Sequence, residues 1–149
     1  MAEPKAMDDS PVEFRRGDLV ISTDRSRMNP EAVLALLHTT FWARGMSRAV
    51  LTRAIANSVS FGLFDGETLI GFGRVVTDLA TYAYWTDVVI ADAYRGRGLG
   101  RWLSECMLVH PDLQGLRRVS LLTRDAAALY AGVGFTVGAG PLVYMERIP

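Results

Sequence analysis

The chain has 149 residues, the size of one domain built around one core. Half of the residues are hydrophobic and 21% are charged, a balance that excludes disorder for the bulk of the chain. Sixteen Lys and Arg against sixteen Asp and Glu leave a formal charge of zero, which argues against a nucleic-acid partner, because such a surface is normally strongly basic.

The single cysteine, Cys106, has no partner for an internal disulfide and fits a reducing compartment. No apolar run reaches membrane-spanning length, and the first residues lack the apolar stretch of a signal peptide. The expectation is a cytoplasmic domain over residues 18–149, with no membrane partner, preceded by a frayed tail over residues 1–17.

Residues 18–23 (DLVIST) read as a strand. Asn29-Pro30-Glu31 then sets a helix start: an N-cap, a proline at the first helical position and an acid in the first turn. Val33, Leu36, Leu37, Thr40 and Phe41 follow at helical spacing and are expected to bury one face. Ser47 can cap a second helix with a narrow stripe of Leu51, Ala54 and Ile55.

The period then changes. Residues 60–64 and 68–76 flank Asp65-Gly66-Glu67, a hairpin signal, and Gly71 and Gly73 leave bare backbone on one face of the second strand. Residues 82–90 form a third strand, rich in aromatic and β-branched types. Helical spacing returns at Leu99, Leu103, Met107 and His110 and stops at Pro111. A strand at 119–123, a helix at 126–133 and a last strand at 142–147 complete the order β-α-α-β-β-β-α-β-α-β. This predicts an α+β fold: a mixed sheet with helices packed on it.

The stretch from Trp85 to Arg101 carries the chemistry. A β-branched strand passes through a short loop into Gly96, Gly98 and Gly100, where a helix begins. Glycines let a backbone turn sharply and present its N–H groups without obstruction, and a helix N-terminus adds unpaired donors and about half a positive charge. With Arg95, Arg97 and Arg101 in the same seven residues, the segment suits a pyrophosphate. It is neither a Walker loop, since no Gly-Lys-Ser/Thr follows, nor a dinucleotide fingerprint, since the glycines run G-x-G-x-G.

These residues resemble the GNAT family of N-acetyltransferases. The family's Arg/Gln-x-x-Gly-x-Gly/Ala signature is met by Arg95, Gly98 and Gly100, and a later Leu129-Tyr130 pair runs into Gly134-Phe135. The resemblance covers residues 18–149 and implies a mostly antiparallel sheet, splayed between two strands, with helices on both faces. It further implies that acetyl-coenzyme A lies in the split. Main-chain groups of Val88, Val89 and Ile90 would then pair with its pantetheine arm. Arg95, Gly96, Arg97, Gly98, Leu99, Gly100 and Arg101 would hold the pyrophosphate. Residues 123–126, Thr123, Asp125 and Ala126 among them, would touch its far side.

Acetyl transfer to an amine poses two proton problems. A lysine-like ammonium must lose a proton before it attacks, at a cost of about 4–5 kcal/mol near neutral pH. The departing thiolate gains from an acid, although a thiol pKa of about 8.5 makes that help optional. Tyr130 is the candidate acid by its place in the family motif; otherwise it is a packed aromatic. Thr86-Asp87 stand where several relatives carry Glu-Asp, so a glutamate base does not carry over. Asp87 either receives protons through water and orients a cationic amine, or supports a loop as a hydrogen-bonded carboxylate. Thr86 can order a water, and proton loss to solvent stays open.

Trp42, Phe41 and Met46 lie at the junction of the first two helices, a region that shapes the acceptor pocket in relatives and that equally suits core packing. Trp85 shares a strand face with Asp87 by alternation, an aromatic wall beside a carboxylate that could receive a cation. With Asp78 and Asp92 nearby, this suggests an anionic acceptor end. Cys106 falls beside a buried stripe and reads as core, and His38 and His110 lack partners for a metal site.

The resulting expectation is an acetyl-coenzyme A-dependent N-acetyltransferase acting on a small primary amine by direct attack, with no metal. Acetylation of a protein N-terminus or lysine is a second enzymatic reading, and a noncatalytic coenzyme A-binding sensor is the reading of another class. Relatives often form homodimers, and no interface is marked in the sequence.

Overall fold

A computed structural model describes residues 8–138 and 140–149. One six-stranded sheet runs in sequence order: β1 (Glu13–Arg16), β2 (Leu19–Ser22), β3 (Val59–Asp65), β4 (Thr68–Thr77), β5 (Tyr82–Ile90) and β6 (Arg118–Leu121). The first five strands pair antiparallel, and β6 joins β5 in parallel. Helices α1 (Pro30–Leu37) and α2 (Arg48–Ala56) cover one face, where Val33, Leu37 and Leu51 pack with Phe72 and Val89. On the other face, α3 (Leu99–Val109) buries Leu99, Leu103 and Met107 against Phe61, Leu63, Val75 and Trp85. The short helix α4 (Ala127–Ala131) lies beside α3.

The local signals act as their chemistry requires. Asn29 Oδ1 accepts from the N–H groups of Glu31 and Ala32 at 2.9 and 3.3 Å, and Ser47 Oγ accepts from Val50 N at 3.2 Å. The bare backbone at Gly71 and Gly73 serves packing. A Cβ on Gly73 would sit 3.0 Å from Met107 Sδ, and one on Gly71 would sit 2.9 Å from Ile90 Cδ1. α3 thus lies close against β4.

Three expectations change. Residues 13–16, placed in the tail, form β1, because Gly17 at φ +59° allows a tight turn that pairs Arg16 with Leu19. Helix α1 ends at Leu37 rather than carrying Thr40 and Phe41 along its buried stripe. The hydroxyls of Thr39 and Thr40 bond the carbonyls of Leu36 and Leu37 at 2.6 Å, closing its C-terminus and releasing Phe41 outward. The last strand, residues 142–147, does not form: the segment joins no ladder, and Leu142, Val143, Tyr144 and Met145 are exposed. Strand-favouring residue types make a strand only when an edge supplies a hydrogen-bonding partner.

Candidate active site

The site begins where the sheet splits. β6 pairs with β5 only from Tyr82 to Trp85, ending at Leu121, so residues 86–90 have β4 on one side and an open edge on the other. The opening widens into a cleft of about 1130 Å³. It runs from Gly96, Gly98 and the first turn of α3, past Val88, Val89 and Ile90, to Thr86, Asp87 and Trp42. Thr123, Asp125, Ala126 and Tyr130 line the opposite wall. A smaller cavity of about 280 Å³ lies elsewhere, beside His110, Asp24 and Asp112, and holds none of the residues singled out for catalysis.

At the α3 end, Gly96 and Gly98 take φ of +78° and +72°, left-handed conformations that favour glycine. No atom lies within 4 Å of where a Cβ on either would stand. Gly98 is the N-cap, and neither a side-chain cap nor an acid of the first turn neutralises the free N–H groups above it. The third glycine does something else. A Cβ on Gly100 would sit 3.2 Å from Leu129 Cδ1, so this glycine lets α3 approach α4.

The three arginines diverge. Arg95 lines the cleft while bonding Asp92 at 3.2 Å and the Ile90 carbonyl at 3.3 Å. Arg101 also lines it and pairs with Glu105 one turn on, at 2.9 Å. Arg97 turns away and stacks over the Tyr94 ring at 5.1 Å, which makes it the one expected cofactor residue that does not line the cleft.

Mid-cleft, a bulge sets the chemistry. Phe72 pairs with Val89 and Arg74 with Thr86, so Gly73 alone opposes Asp87 and Val88. Asp87 absorbs the extra residue at φ +58°. The bulge reverses alternation: Ala83, Trp85, Val88 and Ile90 pack toward α3, whereas Val89 packs toward α1 and α2. Trp85 and Asp87 therefore do not share a face, contrary to the alternation rule. Trp85 is 3% exposed and packs edge-on against Tyr130 and Phe135, with centroids at 6.4 and 4.9 Å.

Asp87 is buried and its two oxygens are spoken for. Oδ2 accepts from Arg74 Nε at 2.9 Å, and Oδ1 accepts from the Trp42 indole N–H at 3.1 Å. Arg74 was not singled out by sequence reading. Its signal was a charge within a strand that, between its terminal threonines Thr68 and Thr77, is otherwise apolar or glycine. The other carboxylates expected at the acceptor end are also committed. Asp78 caps the β4–β5 turn by accepting from Thr81 and Ala80, and Asp92 meets Arg95.

On the far wall, the Tyr130 hydroxyl has no hydrogen-bond partner among the described residues, and burial raises its pKa above the ordinary tyrosine value. Thr123 Oγ1 accepts from Ala126 N at 3.0 Å, which shapes the turn into α4 and leaves its O–H available. Cys106 is buried in the α3 core, where desolvation pushes its thiol up to about 11, far from a nucleophilic thiolate. Among the described residues, no group of three or more His, Cys, Asp or Glu could hold a metal ion, and no helix is long and apolar enough to cross a membrane.

Comparison with known proteins agrees with this geometry. A family model described as "Acetyltransferase (GNAT) domain" matches residues 56–137. A Gibberella zeae protein classed as an acetyltransferase is 33% identical over 143 residues, covering 80% of each chain. The mycothiol acetyltransferase of Corynebacterium glutamicum is 37% identical over 86 residues, 55% of this chain and 30% of that protein. Among solved structures, a Xanthomonas campestris protein assigned to the GNAT family superposes with a TM-score of 0.83 at 42% identity, over 87% of this chain and 92% of that one. The split sheet, the glycine loop opening α3 and these relatives lead to one conclusion: this chain belongs to the GNAT family of acetyltransferases.

Proposed function

We propose that the protein transfers an acetyl group from acetyl-coenzyme A to the primary amine of a small molecule, by direct attack. The open edge of β5 carries this reading, because it runs unbroken from the α3 loop to Tyr130 and Trp42. The residues fit the cosubstrate: an uncapped helix N-terminus for the pyrophosphate, the β5 edge at Val88–Ile90 that β6 does not cover for the pantetheine arm, and an apolar wall at Leu129. When bound, acetyl-coenzyme A supplies a thioester whose C–S bond is exchanged for a C–N bond to the amine.

The chain's own residues hold the protons. Tyr130 keeps its hydroxyl proton across the physiological range, since burial raises its pKa, and can give it to the leaving sulfur. Asp87 acts as a positioning residue: Arg74 balances its charge, and Trp42 and Arg74 occupy its oxygens. The ammonium proton of the acceptor then passes to water. The Arg124 guanidinium lies over the Phe41 ring at 3.8 Å and spans the acceptor end, which favours a small acceptor over a peptide.

A panel of primary amines with acetyl-coenzyme A, monitored by thiol release, tests the reading. Release above the amine-free rate is expected for at least one small amine. Cofactor binding without release would leave only a sensor, and release with peptides alone would move the acceptor to protein. Tyr130→Phe should lower kcat about ten- to a hundredfold with little change in cofactor affinity. Because the acid is competent below its pKa, and that pKa is raised, wild-type kcat should show no alkaline decline below about pH 10. A decline near pH 8, or unchanged turnover in the variant, would remove Tyr130 from the proton path.

A further inference from the structure

We propose that the acceptor is a small amine that also carries an oxyanion group, a carboxylate or a phosphate, received by Arg44 and Arg124. This rests on the amine-acetyltransferase reading above and names the substrate class. The first observation is negative charge already consumed. A second ammonium on the acceptor would need a carboxylate at this end, yet Asp87 is committed to Arg74 and Trp42, and Asp78 to its own turn. Asp125, the other carboxylate lining the cleft, stands beside Arg124 at 3.7 Å, where that cation offsets it.

The second observation is positive charge left over. Arg44 lines the cleft from the α1–α2 connection, and among the described residues its side chain makes no ion pair and no hydrogen bond. Arg124 reaches the same end from the wall opposite. Its one carboxylate neighbour among the described residues is Asp125 at 3.7 Å, a loose pair with both side chains exposed.

The third is that Arg124 is held in place. Its guanidinium stacks on Phe41, Phe41 packs edge-on against Trp42 at 5.1 Å, and Trp42 is tied to the buried Asp87. The buried ion pair thereby fixes an aromatic platform, and the platform fixes a cation. Stacking uses the flat face of a guanidinium and leaves its N–H edge free for two parallel bonds to an oxyanion. Tyr130, which faces the reacting end, lies on the same wall of the cleft as Arg124. An acceptor amine directed there can leave its anionic end at the arginines.

The test compares amines of matched length that differ only at the far terminus: pentylamine, 1,5-diaminopentane, 5-aminopentanoate and 4-aminobutylphosphonate. With wild-type enzyme, kcat/KM for one or both anionic amines should exceed that for the diamine at least tenfold, and the ratio should shrink as salt rises. The aminopentanoate and phosphonate arms separate carboxylate from phosphate. Arg44→Gln and Arg124→Gln should bring the ratio near one, and Arg44→Glu should favour the diamine, an inversion that misfolding cannot produce. Thiol release without preference for an anionic amine would overturn this proposal alone. Absence of release with every amine would overturn the underlying reading and the proposal with it. An effect of the arginine variants confined to KM for acetyl-coenzyme A would assign both arginines to the cofactor and also overturn it.

Discussion

Gly98→Val should abolish acetyl-coenzyme A binding while leaving the domain folded. The residue sits at φ +72° as the N-cap of α3, and a Cβ there meets no protein atom within 4 Å. The substitution therefore creates no clash inside the protein. Its internal cost is the left-handed backbone, about 1–2 kcal/mol, and more for a β-branched residue than for alanine. Outside the protein the consequence is larger, because the isopropyl group projects in front of the N–H groups that a pyrophosphate would approach. Titration calorimetry should record a loss of affinity of about a hundredfold or more, near 2.8 kcal/mol, with a thermal transition that remains cooperative. Gly100→Ala offers a contrast. Its Cβ would press on Leu129 Cδ1 at 3.2 Å, so its effect should appear in stability before affinity. Unchanged affinity in Gly98→Val would remove the proposed pyrophosphate site.

Asp87→Ala should destabilise the fold by about 3–5 kcal/mol, the effect of leaving a buried guanidinium without its counter-charge. The side chains of Asp87 and Arg74 are 3% and 13% exposed, so water can do little to replace the lost carboxylate. Two further losses add to this. The Trp42 indole N–H loses its acceptor, and alanine fits φ +58° less well than aspartate does. Chemical denaturation measures the change directly. Asp87→Asn keeps an acceptor for Trp42 and should fall between the two. A loss below about 1 kcal/mol in Asp87→Ala would show that the pair does not organise the bulge. In that case Asp87 would again be available as a base, and kcat rather than stability should respond.

The two substitutions separate the ends of the cleft. One blocks the cofactor loop without disturbing the core; the other dismantles the support beneath the acceptor end. The same division explains which parts of the site could be read in advance. The α3 loop is local: three glycines, flanking arginines and a helix start all lie within seven residues, so Arg95, Gly98 and Gly100 were legible as a motif. The exception, Arg97, shows the limit of such reading, since its stacking on Tyr94 depends on a turn of 3-10 helix that its spacing does not reveal.

The acceptor end was read less well, because its determinants are long-range. Trp42, Arg74 and Asp87 are far apart in the chain and meet only through the packing of the α1–α2 connection onto β4 and β5. Alternation placed Trp85 and Asp87 on one face, as it would in a regular strand. One additional residue opposite Gly73 inverted the order, sent Trp85 into the α3 core and turned Asp87 toward Trp42. An acid that looked free for a cation is thereby neutralised, and the cations Arg44 and Arg124 are left at the end expected to be anionic.

From the sequence alone came the α+β class, the helix caps at Asn29 and Ser47, the β3–β4 hairpin and the glycine loop, because each rests on contacts within a few residues or on a periodicity that one segment carries. Tertiary structure alone decided where the sheet splits, which glycines face a ligand rather than a helix, and which charges remain unpaired. Those outcomes depend on register, on a bulge and on edges left open. A net charge of zero says nothing about them, because pairing consumes charges one by one and geometry chooses which are left over.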